Sequence, residues 1–155
     1  MHSGRRKALQ NAGGLGVVAL AMAAGLLKPS SARAEWNKAA FSTKSFADAV
    51  KAMGGSEPVE SNEIVINSPD IAENGAVVPF TVSSKLANTQ SISLMIEKNP
   101  NILAAQFTIP EGTEPWINTR VKMGQTSRVI ALVKAGDKYY YSAKEVKVTL
   151  GGCGG

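Results

Sequence analysis

From residue 63 onward, apolar side chains recur with a period of two, the spacing of a strand buried on one face. Ile64 and Ile66 alternate with Glu63, Val65 and Asn67. Val78, Phe80 and Val82 share a face of the next run, and Ile92, Leu94 and Ile96 share a face of the one after. Leu103, Ala105, Phe107 and Ile109 predict a further common face, as do Ile117, Thr119, Val121 and Met123. Val129, Ala131 and Val133 oppose Arg128, Ile130 and Leu132, and a last run extends from Tyr139 to Val146, Val148 and Leu150. Turn clusters such as Ser68-Pro69-Asp70, Asn74-Gly75, Asn99-Pro100-Asn101 and Ala135-Gly136-Asp137 separate the runs. About seven short strands with no helix between them predict an all-β fold, an antiparallel β-sandwich of immunoglobulin-like type.

Three local features refine this pattern. Ser45 with Asp48 forms an N-cap signal, and Phe46, Val50 and Met53 lie on one helical face before Gly54-Gly55 stops the run. A helix of about ten residues cannot fold alone and must pack on something larger. The strand Arg128–Lys134 is apolar on both faces, so its second face needs cover from the helix or from a partner chain. The apolar parity changes between Tyr139–Tyr141 and Val146–Leu150, which predicts a bulge near Lys144 or Glu145.

The segment before this domain has a different character. Residues 1–34 carry Arg5, Arg6, Lys7, Lys28 and Arg33 and no acidic side chain, within a chain of net charge +5. The remaining 12 basic and 12 acidic side chains of the 155-residue chain cancel over residues 35–155. The basic excess is therefore a leader property, and a nucleic-acid-binding body is disfavoured. Arg5-Arg6, the apolar stretch Ala12–Leu27, a polar break and Ala32-Arg33-Ala34 give the three-part layout of a secretory signal. The paired arginines point to twin-arginine export in the folded state, with cleavage after Ala34 and a periplasmic product. Ala8 stands where that pattern commonly has Phe. At 16 residues, the apolar stretch is shorter than the roughly 18–20 that span a bilayer, so no stable membrane anchor is expected.

The domain offers little catalytic chemistry. His2 is the only histidine and leaves with the leader, so no Ser-His or Cys-His pair is available. No spacing predicts a metal, haem or nucleotide site, and no cofactor is expected. One chemical group remains. The chain ends Gly151-Gly152-Cys153-Gly154-Gly155, with its only cysteine among four glycines. A lone cysteine in an exported protein pairs with another molecule or stays a reactive thiol. A glycine tail has no side chains with which to bury it. Glycine accepts most backbone conformations, and the reach from Leu150 to Cys153 is about 10 Å, so the tail reads as a thin arm bearing a sulfur. No charged residue follows Lys147, so the thiol has no cation beside it in sequence. A partner must activate it. Two readings remain open on the residues alone: a covalent carrier, and a structural sandwich module that dimerises through a Cys153 disulfide. A free-standing thiol enzyme is disfavoured because no histidine base is present.

The tail resembles the C-terminus of the SoxY family of the sulfur-oxidation (Sox) system. So do Pro69-Asp70-Ile71-Ala72-Glu73-Asn74-Gly75-Ala76-Val77-Val78-Pro79, Glu97-Lys98-Asn99-Pro100 and Lys122-Met123-Gly124-Gln125-Thr126-Ser127. The resemblance covers essentially the whole chain after the leader. It implies a carrier rather than an enzyme, with Cys153 as the attachment site and Gly151, Gly152, Gly154 and Gly155 as a swinging arm. It implies a heterodimer with SoxZ and thiosulfate joined to the cysteine as an S-thiosulfonate by the haem c enzyme SoxXA. It further implies sulfate release by the hydrolase SoxB and, where present, oxidation of the remaining sulfur by the dehydrogenase SoxCD.

Overall fold

A computed structural model describes residues 37–149; the expected leader (residues 1–34, with Arg5, Arg6, Ala32 and Ala34) and the tail 151–155 lie outside the described residues. The described residues open with two short helices, α1 (Lys38–Phe41) and α2 (Phe46–Ala52). Nine strands follow: β1 (Val59–Glu60), β2 (Ile64–Asn67), β3 (Ile71–Ala72), β4 (Val78–Ser84), β5 (Thr89–Ile96), β6 (Leu103–Thr108), β7 (Trp116–Val121), β8 (Ser127–Ala135) and β9 (Lys138–Val148). The larger sheet runs β1-β9-β8-β5-β6, with β3 also paired to β9, and the smaller runs β2-β4-β7. The result is an immunoglobulin-like β-sandwich. Its long strands pair antiparallel, and only the two-residue strands β1 and β3 pair parallel, each with a different part of β9.

The interior between the sheets holds the residues predicted by the period of two. Phe80 and Val82 from the small sheet meet Ile92, Leu94, Ile96, Val129, Ala131, Val133 and Val146 from the large one. Burial of such side chains contributes about 1.5–3 kcal/mol each and is the main source of stability.

The second apolar face of β8 is covered by the chain itself. Ile130 and Leu132, both 1% exposed, pack with Met95 and Leu103 beneath Ala40, Ala49 and Val50 of the helices. Helix α2 starts as its sequence predicts. The Ser45 hydroxyl accepts from the Asp48 N–H at 3.1 Å and donates to Asp48 Oδ2 at 2.6 Å. It ends at Gly54, whose φ of +81° is the left-handed cap conformation. Phe46 meets Tyr141 edge to face at 5.5 Å, and the Tyr139 hydroxyl donates to Met53 O at 2.6 Å, fixing the helix end to β9. Burial raises the Tyr139 pKa, so the donor proton is held well into the alkaline range. Helix α1 has only four residues, too few for a period to register. Asn37 caps it, accepting from Ala40 N–H, and donates to Ala52 O at 2.7 Å to join the two helices.

Two expectations are corrected. No bulge occurs near Lys144 or Glu145, for β8 and β9 pair without interruption from Ser127↔Val146 to Ala135↔Lys138. The apparent parity change arises because β9 has two apolar faces: Tyr139, Tyr141 and Ala143 face the helix cluster, whereas Tyr140, Val146 and Val148 face the sandwich interior. The second correction concerns β6. Leu94 pairs with Ala105 but Met95 pairs with Leu103, so Ala104 is an extra residue in the ladder. That bulge turns Leu103 to the helix side, away from Phe107 and Ile109.

Candidate functional site

Cys153 and its four glycines lie outside the described residues, so the visible part of the site is the strand end that leads to them. β9 outlasts its neighbour. The β8 ladder stops at Ser127↔Val146, leaving Lys147, Val148 and Thr149 without main-chain partners on that side. On the other side β3 takes over: Lys147 N–H donates to Asp70 O at 2.9 Å and Thr149 N–H to Ala72 O at 3.1 Å. The intervening Val148 N–H points back toward β8 and donates to the Thr126 hydroxyl at 2.9 Å. All three terminal N–H groups are therefore satisfied, and the chain is held by hydrogen bonds as far as Thr149.

This clasp is itself braced. Met123 N–H donates to Gly75 O at 2.7 Å, joining the loop after β3 to the loop before β8. The Asn99 side chain donates to Lys122 O at 2.8 Å and accepts from Gly124 N–H at 3.4 Å. Lys98 N–H donates to Ser127 Oγ at 3.1 Å. At the other end of the clasp, Lys144 Nζ lies 2.8 Å from Asp70 Oδ1 and donates to Ser68 O at 2.8 Å. The bonded Lys144 ammonium lowers the Asp70 pKa. The pair's contribution is thus present above the ordinary aspartate range and fades as pH falls through the lowered value. Asp70 is solvent-exposed, so the contribution is small.

Gly75 is required by space. A Cβ there would collide with the Met123 carbonyl oxygen and lie 2.8 Å from Val148 Cγ1. A Gly75→Ala substitution is expected to lower unfolding free energy by about 1–3 kcal/mol, since backbone rather than a flexible side-chain end must move. Urea denaturation measures this; an unchanged midpoint would show that the loops give way freely.

The clasp thus draws together the stretches 69–79, 97–100 and 122–127, which lie far apart in sequence, around the strand that carries Cys153. No acid, base or metal-ligating group is part of the clasp's terminal bonds, and among the described residues no group of three or more His, Cys, Asp or Glu could hold a metal ion. A cleft of about 340 Å³ lies at the opposite end of β9, lined by Gly54, Gly55, Glu57, Asp137 and Tyr139 among others. A family model described as "Sulfur oxidation protein SoxY" matches residues 49–153, from within α2 to the tail cysteine.

The chain belongs to the SoxY family. The structure of the sulfur carrier protein SoxY from Chlorobium limicola f thiosulfatophilum agrees, with 38% identity and a TM-score of 0.61, covering 66% of this chain and 94% of that one. A toxic shock syndrome toxin-1 structure matches at 14% identity and a TM-score of 0.40, covering 56% of this chain and 99% of that one. A Jonesia denitrificans lytic polysaccharide monooxygenase matches at 12% identity and 0.35, covering 61% and 59%. A search of curated proteins finds no match. Membership in SoxY gives the chain a role in sulfur oxidation as a component of the Sox system. Sequence reasoning singled out Cys153, read Gly75 and Asn99 only as turn residues, and gave no structural role to Thr126. Their signal was present in the motif stretches, yet only the pairing of β3 with β9 shows what they serve.

Proposed function

We propose that this chain is a periplasmic, non-catalytic carrier that holds sulfur covalently on Cys153 and presents it to other Sox enzymes. The observation that supports it most is the tail: a single cysteine among four glycines, following a strand end whose last three N–H groups are all hydrogen-bonded. A small inorganic anion offers too few atoms for tight non-covalent binding, and a covalent link removes that limit. The glycines act as a swinging arm. Loading joins the Cys153 sulfur to the outer sulfur of thiosulfate. The thiol loses its proton, two electrons leave to an oxidising partner of SoxXA type, and an S–S bond forms. Hydrolysis of the terminal sulfone by a SoxB-type partner then releases sulfate and leaves sulfane sulfur on the cysteine. SoxCD, where present, oxidises that sulfur, and SoxZ is the stable second subunit, carried out with the folded chain by the twin-arginine route.

Intact-mass analysis of the protein purified from its native compartment tests this. The expected mass corresponds to a chain beginning at Glu35, with an added group on Cys153 after incubation with thiosulfate and the coupling enzyme. A chain retaining residues 1–34 would overturn the export reading. A Cys153 left unmodified after incubation with thiosulfate, the coupling enzyme and its electron acceptor, with no releasing hydrolase present, would overturn the carrier reading. The alternative, a sandwich module joined through a Cys153 disulfide, predicts a stable dimer that resists glutathione and carries no adduct.

A further inference from the structure

The clasp has one member that is a side chain standing in for a strand. Once β8 ends, the Val148 N–H would face solvent, and the Thr126 hydroxyl supplies the acceptor that a neighbouring strand would otherwise provide. We propose that Thr126 is a positioning residue that fixes where the arm begins. With the bond made, the held chain extends to Thr149, and Cys153 lies four residues beyond, a reach of about 14 Å. Without it, Val148 loses its only bond on the β8 side, and Thr149 depends solely on the two-residue strand β3. The hinge then moves back toward Lys147, six residues from the sulfur, and the reach grows to about 20 Å.

The consequence lies in local concentration. The density of a tethered group falls roughly as the −3/2 power of tether length once the tether exceeds the span it must cross. Lengthening the tether from four to six residues therefore dilutes the sulfur at a docked partner's cleft about twofold. Thr126 is half-buried at the surface, and its methyl-bearing side chain is matched in shape by valine. The hydroxyl can thus be removed without opening a cavity. This inference rests on the carrier reading for its purpose, but its physical content does not require sulfur chemistry.

The test compares the full chain as isolated with its Thr126→Val and Thr126→Ser variants. Hydrogen exchange at the Val148 amide is expected to be about tenfold faster in the valine variant, the effect of losing one hydrogen bond. A nitroxide attached to Cys153 should give a more mobile spectrum in that variant, and kcat/KM with the loading enzyme should fall about twofold. Serine should restore all three. Unchanged exchange at Val148 and an unchanged nitroxide spectrum in the valine variant would overturn the proposal. So would a serine variant that behaves like valine, because shape rather than the hydroxyl would then be responsible. The exchange and spin-label readouts involve no substrate, so they decide the hinge whether or not Cys153 carries sulfur.

Discussion

A Cys153→Ser variant supplied as the sole carrier is expected to support no thiosulfate-dependent sulfate release above assay background, while melting at the same temperature as the parent chain. A serine hydroxyl is hardly ionised at neutral pH and cannot form the S–S bond on which loading depends. Stability is expected to hold because both apolar clusters are built from residues between Ala40 and Val148, all within the body. The paired measurement matters. Loss of activity with loss of folding would say nothing about the sulfur, whereas loss of activity alone isolates it. Sustained turnover by the serine variant would end the carrier reading.

The largest effect on stability is expected at Leu132. Its side chain is 1% exposed and closed over by α1 and α2 through Ala40, Ala49 and Val50. Leu132→Ser removes most of a buried side chain and leaves a hydroxyl facing apolar groups. A cost of about 3–5 kcal/mol follows, which lowers the melting temperature on the order of 10–20 °C for a domain of this size. Calorimetry checks it. Had the second face of β8 been an intermolecular surface, the variant would weaken a complex and leave the isolated subunit's melting point nearly unchanged.

β8 shows how far pattern alone reaches. Val129, Ala131 and Val133 point inward as alternation predicts, and the apolar character of Ile130 and Leu132 correctly demands cover. Which element provides it depends on packing distant in sequence, and the periodicity left helix and partner chain equally open. β9 misled for a related reason. A strand covered on both faces has no single inward set, so Tyr139 and Tyr141 looked like a parity error. β6 erred in the other direction: Ala104 and Ala105 are small and apolar, and an inserted alanine leaves the alternation looking intact. At the site, Cys153 stood out as the candidate because it is the only cysteine in the sequence. The clasp was not legible, because β1 and β3 are two residues long and carry no period. A hydroxyl such as that of Thr126 gains its role only from a register that side-chain type does not encode.

The placement of β9 also bears on the order of assembly. This strand is inserted between β8 on one edge and β1 and β3 on the other, so sequence positions 59 and 71 find partners only at 140 and 147. Without β9, the edge of β8 stays open and the two-residue strands β1 and β3 have no partner, and contacts of such long sequence separation close slowly. Pairing of β1 and β3 with the large sheet therefore waits on residues 138–148, which must be in place before the sheet can be zipped shut.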